Sequence, residues 1–328
     1  MRLDMTRKYR FRSMGASVAV VLSLLVPLRF AVTSAGASLS ASDCGSTSPG
    51  STTLSLSVQG FERTVIVHVP KNFTNLSPTA LVLNLHGSGS TALEQEKFTG
   101  MNRFSNEDGF IVAYPQALIP DGSGFDWNVP NASLVGGRAV PHNAANDVKF
   151  LTSLVAMLEL KYCVNSKEVF AAGFSGGARE VSQLACSDST VFAAIAPVSG
   201  LRLPKKCSTS RAMPVLTFHG SADPVDPFAG HGQRYWTYSV TNAAKEWATH
   251  DQCTTHTTTT IASTVRLTTY SACADGANVE LYEIIGEGHE WPGGPTLPVL
   301  LTTALGPQSN AISANEIMWS FFQAHPMP

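Results

Sequence analysis

The sequence predicts an α/β fold with a mainly parallel sheet and helices on both faces. Three observations carry this. Short, nearly continuous apolar runs at 80–87, 110–115, 168–174 and 192–200 have the length and composition of strands covered on both sides. Between and after them lie segments with helical spacing, clearest where Val148, Leu151, Leu154, Val155 and Leu158 fall on one face. Strand and helix also alternate along the chain, which favours parallel neighbours joined by crossover helices. With 328 residues, 44% hydrophobic and 14% charged, the chain can bury a sizeable core.

In chain order, residues 1–37 come first. Arg2, Arg7, Lys8, Arg10 and Arg12 precede the apolar run 16–28 and a small-residue stretch ending Ala35-Gly36-Ala37. This is the layout of a cleaved secretory signal, and a 13-residue run closed by Pro27 and Arg29 is short for a membrane span. The remainder, 38–328, reads as one domain, secreted and free of the membrane. Residues 52–59 and 62–70 alternate around Gly60-Phe61 and predict an antiparallel hairpin at a sheet edge. The strands 80–87 and 110–115 enclose a segment, 91–107, that can be helical. A helix starts at Asn146-Asp147, and 168–174, 176–186 and 192–200 follow as strand, helix and strand. Two more strands, 214–220 and 278–286, and a closing helix at 313–325 complete the pattern. The segments 116–145 and 226–242 exceed ordinary connection lengths, which points to functional loops.

A net charge of −2, with no Lys/Arg run beyond the N-terminus, excludes the electrostatic footprint of a nucleic-acid binder. The six cysteines, 44, 163, 186, 207, 253 and 273, suit three disulfides in an exported chain. None forms a C-x-x-C pair, and neither a metal nor another cofactor is expected.

The chemistry centres on VFAAGFSGGARE (169–180), where an apolar strand turns abruptly into a helix through Gly173-x-Ser175-x-Gly177. Such a turn lifts a serine hydroxyl above the sheet. A hydroxyl is a weak nucleophile at neutral pH; it needs a histidine base, itself oriented by a carboxylate. Each should follow a later strand, acid first. Asp223 lies after the strand 214–220, with Asp226 as competitor, and His289 lies after 278–286. The oxyanion of a tetrahedral intermediate also needs donors. The Gly176 N–H, just after the serine, is one, and the loop His86-Gly87-Ser88-Gly89-Ser90 supplies the other, with Ser88 preferred over Gly89. His86 is read as structural. In the loops near the strand ends, Trp127 and Trp291 are expected to form aromatic platforms for the substrate.

The segments LHGSG, FDWN, NDVKFL, YCVNSKEVFAAGFSGG, PVLTFHGSADPVDPF, GHEWPGG and ANEIMWSFF together resemble the secreted polyhydroxybutyrate depolymerase/feruloyl esterase family. These α/β-hydrolases group with carbohydrate esterase family 1. The resemblance spans roughly 44–326 and implies a Ser175–Asp223–His289 triad. It further implies a secreted serine carboxylesterase acting on short-chain or aryl esters, such as hydroxyalkanoate oligomers or polyester and feruloyl or acetyl polysaccharide esters. Gly176 and Asp226 depart from residues common in the family. For the disulfides, the resemblance together with the Thr-rich strand pair between them favours Cys253–Cys273. Placement at one sheet edge suggests Cys163–Cys186, which leaves Cys44–Cys207. An inactive hydrolase scaffold serving as a binding protein is the alternative reading. A metal-dependent deacetylase is disfavoured because no H-x-x-E-H-like ligand cluster is present.

Overall fold

The computed structural model describes residues 47–74, 77–296 and 303–328. The expected signal segment 1–37 and Cys44 lie outside them. In chain order the strands are β1 (Gly50–Val58), β2 (Phe61–Val69), β3 (Thr79–Leu85), β4 (Ile111–Pro115), β5 (Ile119–Asp121), β6 (Gly124–Asp126), β7 (Val164–Phe174), β8 (Ala194–Val198), β9 (Val215–Gly220), β10 (Thr255–Ala262), β11 (Val265–Ser271) and β12 (Val279–Ile284). The helices are α1 (Ala92–Thr99), α2 (Met101–Asp108), α3 (Asp147–Tyr162), α4 (Gly176–Ser187), α5 (Val240–His250) and α6 (Ala314–Ala324).

Ten strands form one sheet in the order β1-β2-β4-β3-β7-β8-β9-β12-β11-β10. The run β4-β3-β7-β8-β9-β12 is parallel, and antiparallel strands close both edges. The first hairpin turns at Gln59 and Gly60, with φ of 52° and 82°. Positive φ at both positions matches the right-handed twist of the strands they join.

Alternate strand residues feed two cores. Leu81, Leu83, Val169, Ala171 and Val215 pack against Phe150 and Leu154 of α3, Leu184 of α4 and Trp247 of α5. Val82, Val112, Phe170 and Phe218 pack against Phe104 of α2 and Met318 and Phe322 of α6 on the other face. Because the central strands are covered on both sides, their sequences are nearly continuous in apolar residues. The expected helix at 91–107 is two helices. Gly100, at φ 60°, caps α1 and starts α2. Helix α3 begins where expected, with the Asn146 side chain accepting from the Lys149 N–H at 2.9 Å.

The disulfides correct two expected pairings. Cys253–Cys273 forms across the open end of the β10–β11 hairpin, as expected. Cys186, however, pairs with Cys207, not Cys163, and Cys207 is therefore not available to Cys44. The end of α4 faces the connection after β8, so the bond ties that helix to the loop beyond the neighbouring strand. Cys163 is also disulfide-bonded.

Candidate active site

β7 passes into α4 through Ser175, whose φ of 52° and ψ of −114° are rarely adopted by a residue with a side chain. The strain is held from both sides. The Ser175 N–H donates to Val198 O of β8 at 2.9 Å, and a Cβ at Gly177 would lie 2.4 Å from Leu85 O and 2.6 Å from His86 O. Only glycine lets α4 approach the end of β3 this closely.

Asp223 follows β9 and His289 follows β12, neighbouring parallel strands. The His289 Nδ1–H donates to Asp223 Oδ2 at 2.7 Å. The other oxygen, Oδ1, accepts the N–H groups of Val225 and Asp226, both at 2.8 Å. His219 Nε2, donating to Asp226 O at 2.7 Å, lies 3.2 Å from Asp223 Oδ2. Burial alone would raise the Asp223 pKa, but the hydrogen bonds and charges of His219 and His289 hold it well below the carboxylate range. For His289 burial works downward and is outweighed by Asp223, so its pKa lies above the usual 6.5. The competing carboxylate, Asp226, makes no hydrogen bond to this ring among the described residues, and burial raises its pKa.

Ser175 and His289 line one cleft of about 580 Å³. Among the described residues no hydrogen bond joins the Ser175 hydroxyl to the ring. Such contacts often tighten only with substrate present. Opposite the serine, Ser88 and Gly176 face each other, and among the described residues neither N–H donates to a protein acceptor. The Gly89 N–H is already given to Phe125 O at 3.1 Å, whereas the Ser88 N–H has no protein acceptor among the described residues. The Phe125 N–H returns a bond to Ser90 O at 2.9 Å, so the short β5–β6 hairpin fixes the loop 87–90 from outside. His86 is fully buried. Its Nδ1–H donates to Gly87 O at 2.8 Å and its Nε2 accepts from the Ala117 N–H at 3.1 Å. Burial lowers its pKa to about 4, so it stays a neutral strut.

The base of the excursion beyond β6 is clamped by a buried ion pair. Arg63 Nη2 of β2 meets Asp147 Oδ1 of α3 at 2.6 Å, and Asp147 Oδ2 accepts the Asn128 N–H at 2.7 Å. Asn128 Nδ2 also donates to Ala145 O at 2.9 Å.

The expected tryptophan platforms are corrected. Trp127 is 2% exposed and Trp291 0%. Their indole N–H groups donate inward, to His86 O at 2.8 Å and Asn315 Oδ1 at 3.2 Å, because each N–H needs a buried acceptor. They brace the loops from beneath. The apolar cleft wall is instead Phe98, Phe174, Val135, Val225 and Leu305, with Glu94 and Lys97 among the polar lining. Phe98 comes from α1, a helix that sequence reasoning never linked to the site.

A parallel sheet carrying Ser175, Asp223 and His289 on the loops after β7, β9 and β12 defines an α/β-hydrolase fold. The family described as "Esterase PHB depolymerase" matches residues 66–232, and the chain belongs to it. Feruloyl esterase B of Piromyces equi is 30% identical over 240 residues, covering 69% of this chain and 42% of that protein. Poly(3-hydroxyalkanoate) depolymerase C of Paucimonas lemoignei is 30% identical over 146 residues, covering 44% and 32%. The chain thus spans less than half the length of these relatives. The solved acetyl xylan esterase from Aspergillus awamori shares the fold at a TM-score of 0.55 and 17% identity, covering 82% of this chain and 98% of that one.

Proposed function

We propose that the chain is a secreted serine carboxylesterase with Ser175 as nucleophile, His289 as general base and acid, and Asp223 as the carboxylate that orients it. One observation carries the reading: the 2.7 Å bond from His289 Nδ1 to Asp223 fixes the ring's tautomer and leaves Nε2 as the base, in the cleft that Ser175 lines. In acylation His289 takes the serine proton as Oγ attacks the ester carbonyl. The imidazolium, stabilised by Asp223, then protonates the leaving alcohol. Water repeats the sequence on the acyl-enzyme. The N–H groups of Ser88 and Gly176 receive the oxyanion.

The largely apolar wall around Ser175 suits an acyl group that is short or aromatic, in keeping with relatives named feruloyl esterase and poly(3-hydroxyalkanoate) depolymerase. The residues 38–328 act as one catalytic domain, exported under a signal at 1–37, and the disulfides support an oxidising destination. Labelling by a fluorophosphonate, mapped to Ser175, together with hydrolysis of a panel of p-nitrophenyl and feruloyl esters, tests the reading. Hydrolysis abolished by chelators and unaffected by the phosphonate would show a different mechanism.

A further inference from the structure

We propose that the oxyanion loop is keyed to α4 by the Ser88 side chain, with Arg179 as the positioning residue that holds it there. The proposal rests on Ser175 being the nucleophile. Gly176 leaves space beside the N-terminus of α4, and that space is filled. A Cβ at position 176 would lie 2.3 Å from Ser88 Oγ and 3.1 Å from Ser88 N. The Ser88 hydroxyl thus occupies the volume that any larger residue at 176 would take.

Arg179, one turn further along α4, is 3% exposed, and its Nη2 donates to Ser88 Oγ at 3.4 Å. Its guanidinium lies 4.3 Å over the Tyr235 ring. Nη1 has no protein partner among the described residues. Arg179 borders a cavity of about 10 Å³ shared with Ser88, Gly176 and Trp127, room on the order of one water. On its far side Ser88 neighbours Asp126, which Arg138 contacts at 2.5 Å.

The loop is therefore set from two directions, by the backbone of β6 and by a buried cation rooted in the helix that carries Gly176. Both oxyanion donors are referred to one rigid element, and the charge sits close to where negative charge develops. A lysine keeps the charge but not the planar fork that reaches Ser88 while lying on Tyr235.

The test uses the whole purified chain, p-nitrophenyl butyrate as substrate, and butylboronic acid as a tetrahedral analogue. Gly176→Ala is expected to lower kcat by about 10²-fold, the scale of one lost oxyanion donor, with KM within about twofold. Ser88→Gly in that background should recover at least about tenfold, because removing the hydroxyl readmits the methyl. This is strong non-additivity of the kind that marks a shared site. Arg179→Met should weaken kcat and boronate affinity together by about tenfold or more, leaving KM in place, and Arg179→Lys should recover only part. If Arg179→Met does not fold, the lysine variant decides alone. Losses in Gly176→Ala and Ser88→Gly that simply multiply, or an Arg179→Lys enzyme with kcat and boronate affinity unchanged, overturn the proposal. Failure of the phosphonate to label Ser175 in the unaltered chain overturns the nucleophile reading instead.

Discussion

Replacing Asp223 by asparagine exploits the asymmetry of its environment. Oδ1 receives two backbone N–H groups, so the amide must turn its oxygen there; its NH₂ would otherwise meet two donors. The NH₂ then faces His289 Nδ1 in place of Oδ2. Two donors cannot share that 2.7 Å contact, so the ring moves its proton to Nε2, the atom required as base. The expected loss is about 10⁴-fold in kcat, the scale of a wrong tautomer, with the fold intact. The acid limb of the pH profile should also move to lower pH. In the native protein Asp223 outweighs burial and raises His289; without that anion burial pulls the pKa down, and the base is deprotonated earlier. Steady-state hydrolysis of p-nitrophenyl butyrate from pH 4 to 9, beside Asp226→Asn, reads both effects. Asp226 does not bond the ring and should cost less than about tenfold. An Asp226→Asn enzyme more impaired than Asp223→Asn would refute the assignment of the acid.

Gly177→Ala should destabilise by about 1–3 kcal/mol in urea unfolding, because its Cβ meets the backbone oxygens of Leu85 and His86, which no rotamer change can clear. Replacing both Cys253 and Cys273 by serine should cost about 3 kcal/mol from the freed loop across a sequence separation of 20, seen as a lower Tm. Glu287 is buried, its Oε1 accepting the Ser309 N–H at 3.1 Å, and burial raises its pKa to about 8. Its proton is kept on folding, so stability is full below the unfolded pKa near 4.5 and declines as pH rises towards 8. Glu287→Gln should remove a loss on the order of 1–3 kcal/mol across that window, measured by chemical denaturation at pH 5 and pH 8.5.

The strands and most helices were legible because burial on both faces imposes apolar runs, and Asn146 or the glycines around Ser175 mark boundaries by local chemistry. Helix α5 went unread although its signal was present. Ser239 caps it by accepting from the Asn242 N–H, and Val240, Ala243, Ala244, Trp247 and Ala248 keep helical spacing. The β5–β6 hairpin has three-residue strands, too short for any period to show. At the site, the order Ser175, Asp223, His289 is a property of the chain and could be read from it. The 2.7 Å contact that separates Asp223 from Asp226 depends on how the loop after β9 folds over its own backbone. The tryptophans misled because an aromatic in a loop near a strand end can point either way, and only the acceptors His86 O and Asn315 Oδ1 decide. Cys186 and Cys207 meet through a loop whose path leaves no periodic trace.

The clamp at Asn128, Asp147 and Arg63 divides the labour of the long excursion between β4 and α3. Its first part, through β6, is tied to the loop that carries Ser88. Beyond Asn128 the chain leaves and returns to fixed posts, with Ala145 and Asp147 at the return, and only Val135 of that span lines the cleft. Other residues of 129–144 stay tied to the site: Val129, Ala132 and Leu134 border the small cavity beside Ser88 and Gly176, and Arg138 pairs with Asp126 next to Ser88. Substitution at Val135 can therefore reshape the cleft wall while the posts at Asn128, Asp147 and Arg63 stay where they are.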